Sequence, residues 1–407
     1  MHSTDRAAFL LCALLWLPLA TATPEPPDER WVLAPFTQPL GGGPETGPAA
    51  ASGGGGLVVC EDGQGNRFIA GEHWIDIIQP DGLRRHVAGS GRPGYHEGPG
   101  ESAEFRLGHG GYLGAFDMTC GDDQVFVFDD GNNRIRRLYR TDRGWFTESW
   151  VGGGNTRLRL GESARPRDFL LPSAVGIAVD GSGYLWVGSY HAAYRVSPDG
   201  SRITRVADWP ESTAHRPGKP PTLHIVHGGT DAAGRVYFMS RSPDVVIRVQ
   251  DGRATHVAGR VVGRRKPLEL GDTTPLQAYI NTPSGLAMDM QAPALYLSGG
   301  DEYDIRRIPF DMAAFTATLM RNGRWDHASV HPNRSRGPAL FEPGIDGQLR
   351  PHGKLTVFMN CHLLGNDRRG GLYGLLYPWR GMTQYHAGVG LLPTRIYRLE
   401  RARAPSR

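Results

Sequence analysis

Apolar and polar positions along this chain follow one unit that recurs six times, at intervals of about sixty residues. Each copy has an apolar strand, an Asp/Gly turn, a second strand with an aromatic residue near its start, a short polar loop and a further strand. The copies cover residues 57–79, 114–138, 175–197, 228–250, 285–308 and 354–378. A fixed period built from short strands and turns indicates a propeller or a solenoid.

A fourth strand follows most copies of the unit. It has the sequences RRHVAG (84–89), SWVGGG (149–154), ATHVAG (254–259) and TQYHAG (383–388). A four-stranded sheet cannot bury both of its faces alone, whereas sheets arranged radially cover one another. The pattern therefore predicts an all-β fold, a six-bladed β-propeller with four-stranded antiparallel blades. We expect a terminal strand to close the ring, either Thr394–Leu399 or the segment around Trp31.

The second unit resembles a known family. Its VAGSGRPGYHEGPGESAEF (87–105) is similar to the glycine-rich inter-blade loop of NHL-repeat propellers, and VFVFDDGNNRIRRL (125–138) is similar to their signature strand-loop-strand. The resemblance covers roughly residues 57–390 and implies a six-bladed propeller. It implies no particular activity, because such propellers include protein scaffolds, carbohydrate binders and lyases.

The N-terminus predicts export. Arg6, the apolar run 7–20 and the small residues Ala20 and Ala22 have the layout of a secretory signal, which we place at residues 1–22. The run is shorter than the roughly 20 residues of a membrane span, so a secreted or periplasmic protein is expected. Residues 23–56 are predicted to be a flexible Pro/Gly-rich leader, 57–400 the propeller and 401–407 a basic tail.

Three cysteines remain after the predicted signal, namely Cys60, Cys120 and Cys361. Cys60 and Cys120 occupy the same phase of adjacent units, at the end of the inner strand. A disulfide requires Cα atoms within about 7 Å, and the repeat does not say whether inner strands approach that closely. The sequence alone therefore does not decide whether Cys60 and Cys120 form a disulfide.

The formal net charge is +4, with lysine only at positions 219, 266 and 354. Arginines are spread over every unit instead of forming a basic stripe with interleaved aromatic residues. Together with the export signal, this distribution argues against nucleic acid as a partner. A monomer that binds a protein or glycan ligand is expected.

One face of the propeller collects several candidate side chains. In this architecture the loops after the second strand and before the inner strand open on the same face, where ligands commonly bind. His73, His191 and His362 each follow the predicted second strand of a unit, and His109 and His227 lie just before inner strands. Two long insertions rise on that face: 210–227, with His215 and His224, and 321–338, with His327 and His331. We predict ligand contacts for His109, His227 and Asp301.

The ring of His73, His191 and His362 has three interpretations: a metal site, a non-metal ligand contact, or no role. Three imidazoles with one open position suit catalytic zinc. The propeller of peptidylglycine amidating lyases is similar in build and holds a metal with histidines from separate blades, and its Pro-His-Gly motif is partly matched by Val226-His227-Gly228. Five acidic residues could bind Ca²⁺ or cap turns: Asp129, Asp130, Asp301, Glu302 and Asp304. The cofactor is therefore unknown, with Zn or Ca as the candidates.

Two functions from different classes follow. The first is an exported scaffold that binds a protein or glycan on the face formed by these loops. The second is a metal-assisted lyase or hydrolase acting on an extracellular polymer or peptide, with Arg241 stabilising an oxyanion and Tyr190 acting as acid or base. No recognised catalytic motif selects between them.

Overall fold

A computed structural model describes residues 31–35 and, with gaps, 58–401. The gaps are residues 72, 82, 109–115, 217, 262–271, 279, 281–282, 292–293, 300–304, 311–314, 317, 322–323, 327–340, 344–348, 352–358 and 379–394. The described residues form an all-β propeller whose sheets are antiparallel.

Blades one and two contain the NHL-like segments 87–105 and 125–138. β1 (Trp31–Pro35), which comes first among the described strands, belongs to neither of them. Blade one consists of β2 (Val58–Glu61), β3 (Arg67–Gly71), β4 (Trp74–Ile78) and β5 (Arg84–Ala88). Blade two adds a short outer strand and consists of β6 (Gly98–Pro99), β7 (Met118–Cys120), β8 (Gln124–Asp129), β9 (Arg134–Thr141) and β10 (Gly144–Val151).

Blades three to five follow the same plan, and their strands are given in chain order. Blade three consists of β11 (Ser163–Ala164), β12 (Gly176–Val179), β13 (Leu185–Gly188), β14 (Ala192–Val196) and β15 (Ile203–Asp208). Blade four consists of β16 (Ile225–Thr230), β17 (Val236–Arg241), β18 (Asp244–Gln250) and β19 (Arg253–Ala258). Blade five consists of β21 (Pro283–Met288), β22 (Ala294–Gly299), β23 (Ile305–Pro309), β25 (Thr318–Arg321) and β26 (Arg324–Asp326), while β20 (Asp272–Thr273) pairs with β24 (Phe315–Thr316).

A sixth sheet, here called the closing sheet, combines distant parts of the chain. Its six strands run in the order β27 (Phe341–Pro343), β28 (Leu349–Pro351), β1, β31 (Arg395–Arg401), β30 (Leu372–Pro378) and β29 (Met359–Asn366). Both candidate closing segments are therefore used, because β1 pairs with β31 from Trp31–Arg401 to Pro35–Tyr397. β29 lies beside the inner strands β21 and β2.

The prediction of six blades with four strands each is wrong in its details. The described residues form five blades of four or five strands, and the sixth repeat unit supplies β29 and β30 to the six-stranded closing sheet. The repeat pattern did not distinguish a blade built from one unit from a sheet that recruits both terminal strands. Within the described ranges, no helix has the length and apolar character of a membrane span.

Burial explains why the strands take these positions. The second strand of blade two, β8, is buried on both faces from Val125 to Asp129, as a strand with neighbouring blades on each side must be. The outer strand β10 alternates, with Thr147, Ser149 and Val151 buried between half-buried neighbours. Apolar clusters fill the spaces between blades. One such contact is the edge-to-face pair of Phe68 in blade one and Trp145 in blade two.

The turn between the first and second strands of several sheets is stabilised by the same kind of side chain, an aspartate. In four sheets an Asp at this turn accepts hydrogen bonds through one oxygen from the backbone N–H groups two and four residues later, at 2.7–3.0 Å. These residues are Asp62, Asp180, Asp231 and Asp367. Such side-chain turns hold the hairpin without help from distant residues, which is why an Asp recurs in the sequence pattern.

Cys60 of β2 and Cys120 of β7 form a disulfide, with Cα atoms 5.5 Å apart. The bond links the inner strands of blades one and two, which belong to separate sheets. The sequence did not decide whether neighbouring inner strands come close enough for a disulfide, and the structure shows that they do at Cys60 and Cys120.

Candidate functional site

The inner strands of blades two to four are joined by one carboxylate. Asp117 precedes β7 and is 4% exposed. Its Oδ2 accepts hydrogen bonds from the backbone N–H of Ile177 in β12 at 2.8 Å and of Gly228 in β16 at 2.9 Å. His227 Nδ1 donates to its Oδ1 at 3.1 Å. Three neighbouring inner strands therefore meet at this buried side chain.

Glycine allows two of these strands to approach closely. A Cβ placed at Gly228 would lie 2.5 Å from the carbonyl oxygen of Ile177, and one at Gly176 would lie 2.5 Å from the carbonyl carbon of His227. His227 lies within β16 and is 7% exposed. It was predicted just before the strand as a ligand contact, and the structure places it inside the strand, bonded to Asp117.

Next to these strands, one loop insertion is tied to two blades. The segment 210–224 connects blade three to blade four. Leu223 N–H donates to the carbonyl oxygen of Tyr190 at 2.8 Å, and the backbone groups of His224 bond those of Arg241 and Ser242 at 2.9 and 3.1 Å. His191 Nδ1 donates to the carbonyl oxygen of Pro221 at 3.1 Å. The insertion is therefore fixed to the loop after β13 and to the end of β17.

We call the side chains gathered by these contacts the rim. They share one edge of the propeller face and lie partly or fully in solvent: Ser173, Tyr190, His191, His224 and Arg241. The Tyr190 ring centroid lies 6.4 Å from that of His191 and 6.1 Å from that of His224. Tyr190 Oη and Ser173 Oγ share an exposed hydrogen bond of 3.1 Å. The rim thus offers three planar rings, two hydroxyls and a guanidinium.

Electrostatics at the rim follow from burial. Burial lowers the pKa of His224, and the nearby charge of Arg241 lowers it further. Burial also lowers the pKa of Arg241, against which Asp244 acts in the opposite direction. Since the ordinary pKa of arginine is far above neutrality, Arg241 carries the positive charge of the rim while His224 is neutral at neutral pH.

We predict that NMR titration will find the His224 imidazole protonating below the reference value of about 6.5. Arg241→Gln should raise that pKa, because it removes a positive charge, but should not restore the reference value, because burial is the larger cause. Arg253→Gln, at the other end of blade four, is the control and should leave the titration unchanged. An unshifted His224 in the parent, or no response to Arg241→Gln, would contradict the geometry of the rim.

The three histidines predicted to hold a metal are found in different settings. His73 has φ 64° in the turn between β3 and β4, and its Nδ1 accepts a hydrogen bond from the backbone N–H of Leu107 at 3.2 Å. His191 bonds the insertion between blades three and four. His362 lies within β29, opposite Leu375, instead of following a second strand as predicted. The predicted register was wrong because the first turn of this unit is made by Asp367, which follows His362 in the chain.

Within the described ranges, no group of three His, Cys, Asp or Glu side chains is arranged to hold a metal ion. The side chain of His362 lies outside what is described, so the metal site of His73, His191 and His362 stays a prediction. His109 and Asp301, predicted as ligand contacts, also lie outside the described residues. So do His327 and His331 of the insertion 321–338.

The acidic residues of the NHL-like motif serve the fold. Asp129 Oδ1 accepts a hydrogen bond from the backbone N–H of Arg106 at 2.8 Å, and Asp130 Oδ1 accepts one from that of Gly108 at 2.8 Å. Arg136, fully buried, pairs with Asp129 at 3.1 Å. Burial raises the pKa of Asp129, although its hydrogen bonds and Arg136 act in the opposite direction. Of the two interpretations, these contacts support the structural one.

Sequence reasoning named Tyr190, His191 and Arg241 but assigned no role to Ser173 or Asp117. His224 was visible only as a histidine of a long insertion. Asp117 could have been noticed as an acidic residue directly before an apolar inner strand, although the repeat pattern gives this position no special role. The rim could have been noticed only from the length of the insertion.

Comparisons with known proteins support the fold. No protein-family model matches the chain, and no curated protein matches it. An auxiliary nutrient binding protein and a protein of unknown function, both from Bacteroides thetaiotaomicron, are similar in structure. For each the TM-score is 0.52 and the identity 12%, with 92% of this chain and 77% of the other covered. A streptogramin B lyase matches at a TM-score of 0.44 and 11% identity, over 92% of this chain and 98% of that one.

Proposed function

We propose that the protein is an exported propeller scaffold that binds a protein or glycan ligand on the face carrying the rim. The observation that supports this most is the docked insertion 210–224, whose backbone hydrogen bonds hold side chains from two blades in one place. A site whose groups are already ordered loses less conformational entropy on binding. The insertion adds surface to one face without being needed for a strand.

Export is part of the proposal. The signal-like N-terminus predicts it, and the disulfide between Cys60 and Cys120 fits it, because disulfides persist in oxidising compartments and are rare in the cytosol. The neighbour described as a nutrient binding protein has a similar fold, and a binding role for the present chain is consistent with that description.

The test is ligand capture by the purified protein, on a glycan array and in a pull-down from extracellular material. We expect a specific ligand whose apparent affinity falls by about ten-fold or more in Tyr190→Ala, since aromatic anchors dominate such sites. Tyr139→Ala is the matched control, because this half-buried tyrosine lies near the β9–β10 turn at the opposite end of blade two. Turnover of a small substrate with no captured ligand would contradict the proposal, as would equal loss in both variants.

A further inference from the structure

Tyr190 and His191 lie in the short turn between β13 and β14, which is held from outside the blade. The carbonyl oxygen of Tyr190 accepts a hydrogen bond from the backbone N–H of Leu223 at 2.8 Å, and that of His191 accepts one from the N–H of Trp209 at 3.3 Å. Leu223 and Trp209 are both buried and stand at the two ends of the insertion 210–224. A turn fixed in this way needs little further ordering when its side chains meet a ligand.

The hydrogen bond of His191 determines which of its ring nitrogens carries the proton. Nδ1 lies 3.1 Å from the carbonyl oxygen of Pro221, and because a carbonyl oxygen can only accept, the hydrogen of the neutral ring is on Nδ1. Nε2 then has a free lone pair and acts as an acceptor. His191 is exposed, and no described residue bonds this nitrogen. The rim therefore offers a hydrogen-bond acceptor to a ligand on this face.

The Tyr190 ring stands beside two imidazoles, tilted by 47° to that of His191 and by 54° to that of His224. Rings at these angles and at centroid separations of 6.4 and 6.1 Å do not cover one another's faces. An uncovered aromatic face packs well against the apolar C–H face of a sugar ring. The hydroxyls of Tyr190 and Ser173, which share an exposed hydrogen bond of 3.1 Å, add polar groups at the edge of that ring.

These polar groups favour a neutral ligand rich in hydroxyls over an anion. A sugar hydroxyl has a hydrogen to donate to His191 Nε2, whereas a carboxylate has none and would face the lone pair of that nitrogen. Arg241 already interacts within the protein and is not needed for this contact.

The rim also differs from the centre of a protein–protein interface, which is typically apolar. None of the large apolar side chains that are exposed among the described residues belongs to the rim. These side chains are Leu83, Tyr95, Leu160, Leu170 and Leu276. Within the proposed function, a glycan therefore fits the rim better than a protein does.

We propose that the rim binds a neutral glycan, with one pyranose ring packed on the face of Tyr190 and a hydroxyl of that ring donating to His191 Nε2. This inference rests on the proposed function and specifies its ligand class. The hydroxyl pair of Tyr190 and Ser173 contacts a second hydroxyl of the sugar.

The experiment measures binding of neutral hexasaccharides by calorimetry on the whole mature protein, using the β-linked oligomers of glucose, mannose and xylose. An oligogalacturonate of the same length is the charged comparison. We expect at least one neutral probe to bind, and to bind more tightly than the oligogalacturonate. Tyr190→Ala should weaken binding roughly ten-fold or more, because it removes the apolar ring face. Tyr190→Phe keeps that face and should retain most of the affinity.

Two further variants separate recognition from folding. His191→Phe keeps a planar ring but removes the acceptor, so it should weaken binding of the neutral probe. Tyr139→Ala is the matched control and should bind as the parent does, because Tyr139 lies at the far end of blade two. Nitrogen NMR of the His191 ring at alkaline pH supplies a readout without any ligand, and it should find the proton on Nδ1.

Four results would overturn the inference: no binding of any neutral hexasaccharide, tighter binding of the oligogalacturonate, equal loss in Tyr190→Ala and Tyr139→Ala, or a His191 proton on Nε2. Capture of a protein or an acidic glycan through Tyr190 would refute the neutral-glycan inference and leave the proposed function standing. Failure of every ligand to bind this face would refute both.

Discussion

Replacing Asp117 by Ala is expected to lower the free energy of unfolding by about 4 kcal/mol. The substitution leaves buried backbone N–H donors without an acceptor, and each such donor costs about 1–3 kcal/mol. The donors are the N–H groups of Ile177 and Gly228, which reach the carboxylate at 2.8 and 2.9 Å, and His227 loses its partner as well. Chemical denaturation monitored by tryptophan fluorescence measures the loss.

The control for this prediction is Asp122→Ala, four residues after β7 begins. Asp122 is also a paired carboxylate, with Arg368 at 2.8 Å, but its side chain is 82% exposed. Exposed pairs contribute about 0–1 kcal/mol, so this variant should stay near the parent. Asp117→Asn keeps one acceptor oxygen and should fall between the two. If Asp117→Ala destabilised the protein no more than Asp122→Ala, the contacts of Asp117 with the inner strands would not contribute to stability.

The second large effect concerns the disulfide. Cys60→Ala combined with Cys120→Ala is expected to destabilise the protein by about 4 kcal/mol in the chain-entropy model, because the bond closes a loop with a sequence separation of 60 residues. No backbone ladder among the described residues joins blades one and two, so their inner strands depend on this bond and on side-chain packing.

Comparison of denaturation midpoints under oxidising and reducing conditions checks this. Reductant should lower the midpoint of the parent and leave the double variant unchanged. Cys361→Ala, which removes a cysteine outside the bond, should respond to reductant as the parent does. A parent midpoint that does not move on full reduction would show that packing alone holds the two blades.

The repeats predicted the propeller because each unit encodes its own hairpin. Asp62, Asp180 and Asp231 each form their turn from local N–H groups, so the same letters give the same structure wherever they occur. Asp367 does so as well. Counted from Asp367, His362 lies on the inner strand β29. The sixth unit was misplaced because residues 354–359, which precede this turn, fit the pattern of a second strand.

The rim and the closing sheet could not be predicted in the same way. Tyr190 meets His224 because backbone groups of an insertion bond two different blades, and no periodicity relates those positions. Likewise β1 pairs with β31 across almost the whole length of the described chain. Contacts of this kind join residues that are far apart in the chain, and the local sequence pattern does not specify them.

Pairing between β1 and β31 also sets an order of events during synthesis. Residues 31–35 leave the ribosome long before their antiparallel partner, Arg395–Arg401, has been made. Blades one to four contain only strands close in sequence, so each can form while the chain is still growing, whereas bringing β1 and β31 together requires closing a very long loop. β1 can therefore pair with β31 only after β31 has been made, so the closing sheet is completed later than the blades built from strands close in sequence.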